Sequence, residues 1–409
     1  MYFHIPNMRF YLSLYFVLIL SANAFSQSAA RAKLNIEKTD ADIKVGAERT
    51  AVYLPMLIGK NVAVVANQTS LINSTSLIDS LISLKIKVKK IFCPEHGFRG
   101  VAENGEEVSN AIDLKTGLPI ISLYGDHLKP TTKDLSGIDV VVYDIQDVGV
   151  RCYTYVTTMT NVMEACAEQK KTFLILDRPN PNGYYIDGPI LENTYKSFVG
   201  IHPVPLVYGM TIAEYALMVN GEKWLANGMH CDLKTVSCEN YVHSDWYQLP
   251  VAPSPNLPNM AAVYLYPSLV LFEGTVMSVG RGTDLPFQLV GHPKLNNAVL
   301  KFTPTPHPGA KKPLYENQVC LGHNLHDFAL LYIRDYKGLY LYWILSSYND
   351  MPEKDIYFND FLEKLAGTKT LRQQIIEKKS EEQIKATWRQ GILKFKIIRK
   401  NYLLYDDFE

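Results

Sequence analysis

An α/β fold built on a parallel sheet is predicted by three observations. Short, β-rich apolar runs recur at 62–66, 88–93, 119–124, 140–145 and 173–176. Stretches with helical spacing lie between several of them, 71–84 and 155–168 being the clearest. The runs are continuous rather than alternating, as in strands covered on both faces, and strands separated by helices imply βαβ units. A domain over 46–200 is therefore Rossmann-like in layout. Near Gly200 the texture changes to a second, C-terminal α/β domain over 201–409.

In the C-terminal part the spacing predicts a helix at 210–219, a strand at 231–236, a helix at 261–272 and a strand at 275–279. Proline-rich segments at 250–258 and 304–313 read as loops. The charged, amphipathic tail over 358–389 predicts surface helices, with 393–398 as a last strand.

Arg9 precedes an uncharged, apolar stretch over 10–25, and small residues follow at Ser21, Ala22, Ala24 and Ser26. This is the pattern of a secretory signal peptide over 1–26. The apolar stretch is shorter than the roughly 20 residues of a spanning helix. The expected mature protein is periplasmic or secreted, without stable membrane insertion after cleavage. With 47% hydrophobic and 20% charged residues the remainder is ordinary globular protein. Its 41 basic and 41 acidic side chains leave no broad basic field for nucleic acid.

The first strand runs into Ala66-Asn67-Gln68-Thr69-Ser70, without the G-x-G-x-x-G that lets backbone approach a pyrophosphate. A dinucleotide is therefore not expected, and no other cofactor is called for. The six cysteines are too sparse for a disulfide scaffold. Cys231 and Cys238 are the pair that can bridge across a hairpin, whereas Cys93 and Cys152 read as buried thiols. His96 lacks a second His or Cys at metal spacing, so no metal site is expected. No G-x-S-x-G serine motif occurs.

Polar residues gather where strands end, which is where ligands bind in open α/β sheets. The strongest case is V-K-K-I-F-C-P-E-H-G-F-R-G at 88–100, where an apolar run halts at a proline before Glu95, His96 and Arg99. A second cluster follows the run at 140–145, with Asp144, Gln146, Asp147, Arg151, Tyr153 and Tyr155; carboxylates beside aromatic rings suit a sugar, although an Asp after a strand is also a common helix cap. A third, at 176–183, presents Asp177, Arg178, Asn180 and Asn182 on a proline-pinned loop. A fourth combines Asn256 in S-P-N-L-P with Arg281 in G-R-G-T-D, where the planar guanidinium can grip a carboxylate. Each also reads as an ordinary structural turn.

The order P-E-H-G-F-R-G, then Y-D-I-Q-D-V-G-x-R-x-Y-T-Y, then L-D-R-P-N-P-N-G, then A-P-S-P-N-L-P and G-R-G-T resembles the exo-β-N-acetylmuramidase family, over nearly all of the chain after about Gly46. The resemblance implies a glycoside hydrolase that removes terminal β-1,4-linked N-acetylmuramic acid from the non-reducing end of peptidoglycan fragments. It also implies a cleft between the two domains as the active site, with the glutamate of P-E-H-G, here Glu95, as the favoured catalytic residue. Glycosidic cleavage uses an acid and usually a second carboxylate. Asp144, Asp147 and Asp177 are candidates for that second role, and the 2-acetamido group of the substrate is another. Arg99, Arg151, Arg178 and Arg281 are available to meet the lactyl carboxylate, with Arg281 or Arg151 favoured. A secreted muropeptide-binding protein without turnover is the alternative, and an acyl or amide hydrolase using Cys93 or Cys152 is a third reading.

Overall fold

A seven-stranded sheet forms the centre of the computed structural model, which describes residues 43–95, 98 and 111–409. Its strands are β1 Asn61–Ala66, β2 Lys87–Cys93, β3 Ala111–Ile112, β4 Pro119–Ser122, β5 Val140–Asp144, β6 Thr172–Leu176 and β7 Asp232–Val236. In space they run β3-β4-β2-β1-β5-β6-β7, and every pairing is parallel except that of the short edge strand β3. The order of the six parallel strands reverses between β1 and β5, as in doubly wound sheets. All five residues of β5 and the last five of β1 are buried, which is why these runs are apolar without alternation.

The helices around this sheet follow their sequence signals closely in most places. They include α1 Thr50–Leu57, α2 Leu77–Ser83, α3 Tyr155–Glu168, α4 Ile212–Gly221 and α5 Met260–Leu269. Thr211 and Glu214 form a reciprocal capping box on α4, and the Asn259 side chain accepts from Ala262 N at the start of α5. Three expectations fail. The segment 71–76 is not helical; it is a small hairpin pairing Leu71 with Ser76 and Ile72 with Thr75, turned by Asn73 at φ 52°, a conformation Asn tolerates. The segment 275–279 forms only isolated bridges, Thr275 to Phe358 and Ser278 to Gly291. The predicted last strand at 393–398 is helix, within Arg389–Arg399. Its alternating Leu393, Phe395 and Ile397 mimic a strand, yet Phe395 is buried while Leu393 and Ile397 are exposed. The buried side of that helix is set by Phe395 and Arg399, four residues apart.

The main sheet reaches beyond residue 200, since β7 pairs with β6 along its whole length. A second, antiparallel sheet follows, with strands at Leu289–His292, Leu300–Phe302 and Cys320–Asn324. The helices of the tail succeed it. Residues 44–409 pack as one compact unit. Among the described residues no helix is long and apolar enough to cross a membrane. The signal-peptide segment 1–26 lies outside the described residues.

Arg151 ties the two halves of the chain together. Its buried guanidinium donates to Pro189 O, Val204 O, Leu365 O and Ala366 O at 2.7–2.9 Å. It is thus spent on backbone carbonyls and does not present itself to a ligand. Replacing it with Met strands those buried acceptors, and the expected loss of unfolding free energy in urea is about 3–5 kcal/mol, by analogy with other broken buried charges. An unchanged urea midpoint would refute the structural role.

Candidate active site

The carboxyl edge of the sheet between β1 and β5, where doubly wound folds usually bind ligands, is closed by the protein itself. Asn67 Oδ1 accepts from the Thr69 amide and hydroxyl at 2.9 and 2.6 Å, and Thr69 Oγ1 accepts from Gln146 N at 3.0 Å. The Ser70 hydroxyl donates to Asp144 O. Gln68 Nε2 donates to Ala252 O and Pro253 O, both at 3.1 Å, fastening the proline-rich segment over the edge.

A cavity of about 210 Å³ opens instead beside the end of β2. Glu95 stands on its wall, with Tyr153, Thr154 and Tyr155 from the start of α3. The Thr154 hydroxyl donates to Glu95 Oε2 at 2.8 Å. Tyr153 and Tyr155 pack edge to face with centroids 4.7 Å apart, and both hydroxyls donate to Pro253 O, at 2.8 and 3.4 Å. Their rings are thereby fixed as cleft wall. Asn256 is held by its donation to Gly309 O at 3.1 Å, and Tyr266, Glu273, Arg281 and Phe287 also line the cavity. Arg281 grips Glu273 Oε1 through Nε at 3.1 Å and Nη2 at 2.6 Å, and its guanidinium carbon lies 5.0 Å from the centre of the Phe287 ring. Arg281 Nη1 is buried without a hydrogen-bond partner among the described residues.

Six of the residues singled out from sequence thus come together here: Glu95, Cys152, Tyr153, Tyr155, Asn256 and Arg281. His96 and Arg99 lie outside the described residues. The others are buried elsewhere and do not line the cleft. Asp144 forms a bidentate pair with Arg178, Oδ1 to Nε at 2.6 Å and Oδ2 to Nη2 at 2.9 Å, and Arg178 Nη2 also reaches Leu71 O. Burial pushes the Asp144 carboxyl above the usual range, and Arg178 opposes that push. Asp147 accepts from Gly149 N at 2.8 Å and from the Tyr208 hydroxyl; burial pushes its carboxyl up to about 6 against those donors. Asp177 accepts from Ala213 N at 3.0 Å at the start of α4 and from the Tyr405 hydroxyl at 2.6 Å, and burial pushes it up to about 7. Gln146 donates to Asp147 O and Pro179 O, Asn180 to Met210 O, and Asn182 to Val148 O and Val263 O.

Sequence reasoning missed Glu273, Thr154, Tyr266 and Phe287. Glu273 follows an apolar helix directly, which reads as an ordinary solvated C-terminus; its one signal is Gly274, where an added Cβ would lie 2.5 Å from Leu362 Cα. All six cysteines are free and buried, so Cys231 and Cys238 do not bridge. Burial pushes the Cys93 and Cys152 thiols up to about 12, which argues against either as a nucleophile at neutral pH. Among the described residues no group of His, Cys, Asp or Glu could hold a metal ion.

Comparison with known proteins gives a consistent picture. The model for the N-terminal part of the exo-beta-N-acetylmuramidase NamZ matches residues 62–261, and that for its C-terminal part matches 264–405. The peptidoglycan beta-N-acetylmuramidase NamZ of Bacillus subtilis (strain 168) is 37% identical over 388 residues, covering 86% of this chain and 89% of the relative. Two crystal structures of DUF1343 family proteins from Bacteroides fragilis NCTC 9343 are similar. One has a TM-score of 0.84 at 47% identity, covering 90% of this chain and 100% of the other; the second has 0.72 at 29%, covering 89% and 99%.

The buried carboxylates carry two predictions. Asp144→Asn leaves Arg178 as an uncompensated buried cation, and urea unfolding should register a loss of about 3–5 kcal/mol. Asp147 has a folded pKa of about 6, above its unfolded value, so between about pH 4 and that value the folded state binds more protons than the unfolded chain and its stability falls as pH rises. Asp147→Asn should flatten that fall in melting curves recorded from pH 4 to 7; a profile identical to wild type would contradict the assignment.

Proposed function

We propose a reaction for this chain from one premise: it belongs to the exo-beta-N-acetylmuramidase family and is a glycoside hydrolase. It releases terminal β-1,4-linked N-acetylmuramic acid from the non-reducing end of peptidoglycan fragments. The observation that carries this reading is the position of Glu95, whose carboxylate stands at the end of β2 on the wall of a cleft lined by tyrosine rings.

Chemistry supports each part of it. Glycosidic cleavage needs a proton delivered to the leaving oxygen, and Glu95 supplies it. The Thr154 hydroxyl, 2.8 Å from Oε2, fixes the carboxyl plane. Aromatic walls at Tyr153, Tyr155 and Tyr266 give the apolar face of a pyranose ring a surface to lie on. N-acetylmuramic acid differs from N-acetylglucosamine by a lactyl carboxylate, which calls for a cation. Arg281 lines the cleft, and its buried Nη1 has no hydrogen-bond partner among the described residues, while Arg151 and Arg178 are committed to carbonyls and to Asp144. The protein acts in the periplasm or outside the cell, following the signal-peptide pattern of residues 1–26.

A chromogenic β-muramide tests the reading directly. Wild type should release free N-acetylmuramic acid, and Glu95→Gln should lower kcat by at least about 10²-fold with an unchanged melting temperature. Arg281→Gln should raise KM for the muramide about tenfold or more, the effect of losing a hydrogen bond to a charged group, and a KM close to wild type would count against Arg281 as the partner of the lactyl carboxylate. Binding of the sugar without release by the wild type would favour a muropeptide-binding protein instead.

A further inference from the structure

Cleavage of a glycosidic bond usually needs a second carboxylate, and the three aspartates that sequence suggested do not line the cleft. Among the described residues, Glu95 and Glu273 are the carboxylates that do. Glu273 is placed by a short helical turn, Val270–Gly274, that continues α5, and its backbone oxygen accepts from Asn359 Nδ2 at 3.2 Å. Arg281 occupies only its Oε1. Oε2 has no hydrogen-bond partner among the described residues, and the side chain keeps 23% of its surface exposed. The two carboxylates come from different parts of the chain, one at the end of β2 and the other past α5. They share a neighbour: the Tyr266 hydroxyl, pushed well above its usual range chiefly by burial, is raised further by Glu273 and by Glu95.

We propose that Glu273 is the second catalytic carboxylate and that its Oε2 takes the proton of the attacking water. This rests on the hydrolase reading given above. In the step, the Glu95 proton moves to the glycosidic oxygen as the C1–O bond breaks, and the bonding pair stays with that oxygen. The water oxygen forms the new bond to C1 on the opposite face and gives its proton to Oε2. Arg281 has two tasks in this scheme: through Nε and Nη2 it aims the Glu273 carboxylate, and Nη1 stays available to the substrate anion. Attack by water opposite the leaving group inverts the anomeric centre, the outcome of a reaction in which the second carboxylate activates water instead of attacking C1 itself.

The test is Glu273→Ala beside Glu273→Gln on a chromogenic β-muramide, with and without sodium azide, together with NMR of the first-formed wild-type sugar. The expected result is a kcat lowered about 10²–10³-fold in both variants, with KM close to wild type. Azide should restore turnover in Glu273→Ala as the α-glycosyl azide, which also demonstrates that the variant is folded, and wild type should release the α-anomer first. A kcat near wild type, a loss confined to KM, a loss that azide does not rescue, or a β-anomer released first would each overturn the assignment. A wild type that releases no sugar would instead sink the hydrolase reading itself, so the two failures are distinguishable.

Discussion

The bidentate pair of Asp144 and Arg178 is the interaction on which the carboxyl edge of the sheet depends. Asp144 ends the central strand β5 with no exposed surface. An ionised carboxylate there is tolerable only with a matched cation and fully used lone pairs. Arg178 supplies the match from the loop after β6, and its Nη2 also donates to Leu71 O in the hairpin after β1. One ion pair thereby joins the ends of three strands. The edge that a nucleotide-binding sheet would leave open is sealed, and Gln68 closes it further by drawing in the Ala252 and Pro253 carbonyls. The cleft lies on the flank beside β2, which is why Glu95 and not Asp144 reaches it.

Burial then separates the charged groups of this chain into two populations. Asp144, Asp147, Asp177, Arg151 and Arg178 are nearly or wholly covered, and each is spent on protein donors or acceptors that hold loops in place. Glu273 and Arg281 keep about a fifth of their side-chain surface. Such groups can exchange water for a ligand at modest cost, whereas uncovering a member of the first population would break the fold. The same division accounts for the cysteines, whose thiols burial makes inert.

Much of this was legible in the sequence. The parallel strands stand almost where the apolar runs put them, and α3 spans the residues that its spacing predicts. The P-E-H-G string marks the strand end that borders the cleft, and G-R-G-T marks its cation. Three kinds of information were not legible. Alternation in Leu393, Phe395 and Ile397 imitates a strand, because a short window fits two periods and only tertiary burial chooses. Asp144, Asp147 and Asp177 share the strand-end context of Glu95, and spacing along the chain does not reveal which strand end is covered. Glu273 lacks a motif, since its partners Arg281 and Asn359 are distant enough in sequence that folding alone brings them together.

The tail belongs to the same framework. Arg399, fully buried, donates to Gly209 O at 2.9 and 2.6 Å and to both oxygens of Asp407 at 2.7 and 2.8 Å. Its Nη2 also lies 3.0 Å from His243 Nδ1. The other ring nitrogen of His243, Nε2, lies 2.9 Å from the Glu214 carboxylate. Glu214 in turn caps α4 and receives Leu404 N, while Tyr405 bonds Asp177 at the end of β6. Arg399 and the hydrogen bonds of Asp407 hold the Asp407 carboxyl down to about 2 even though burial acts the other way, so the pair with Arg399 stays charged through the neutral range. The chain end thus braces α4 and the loop after β6, and that loop carries Arg178.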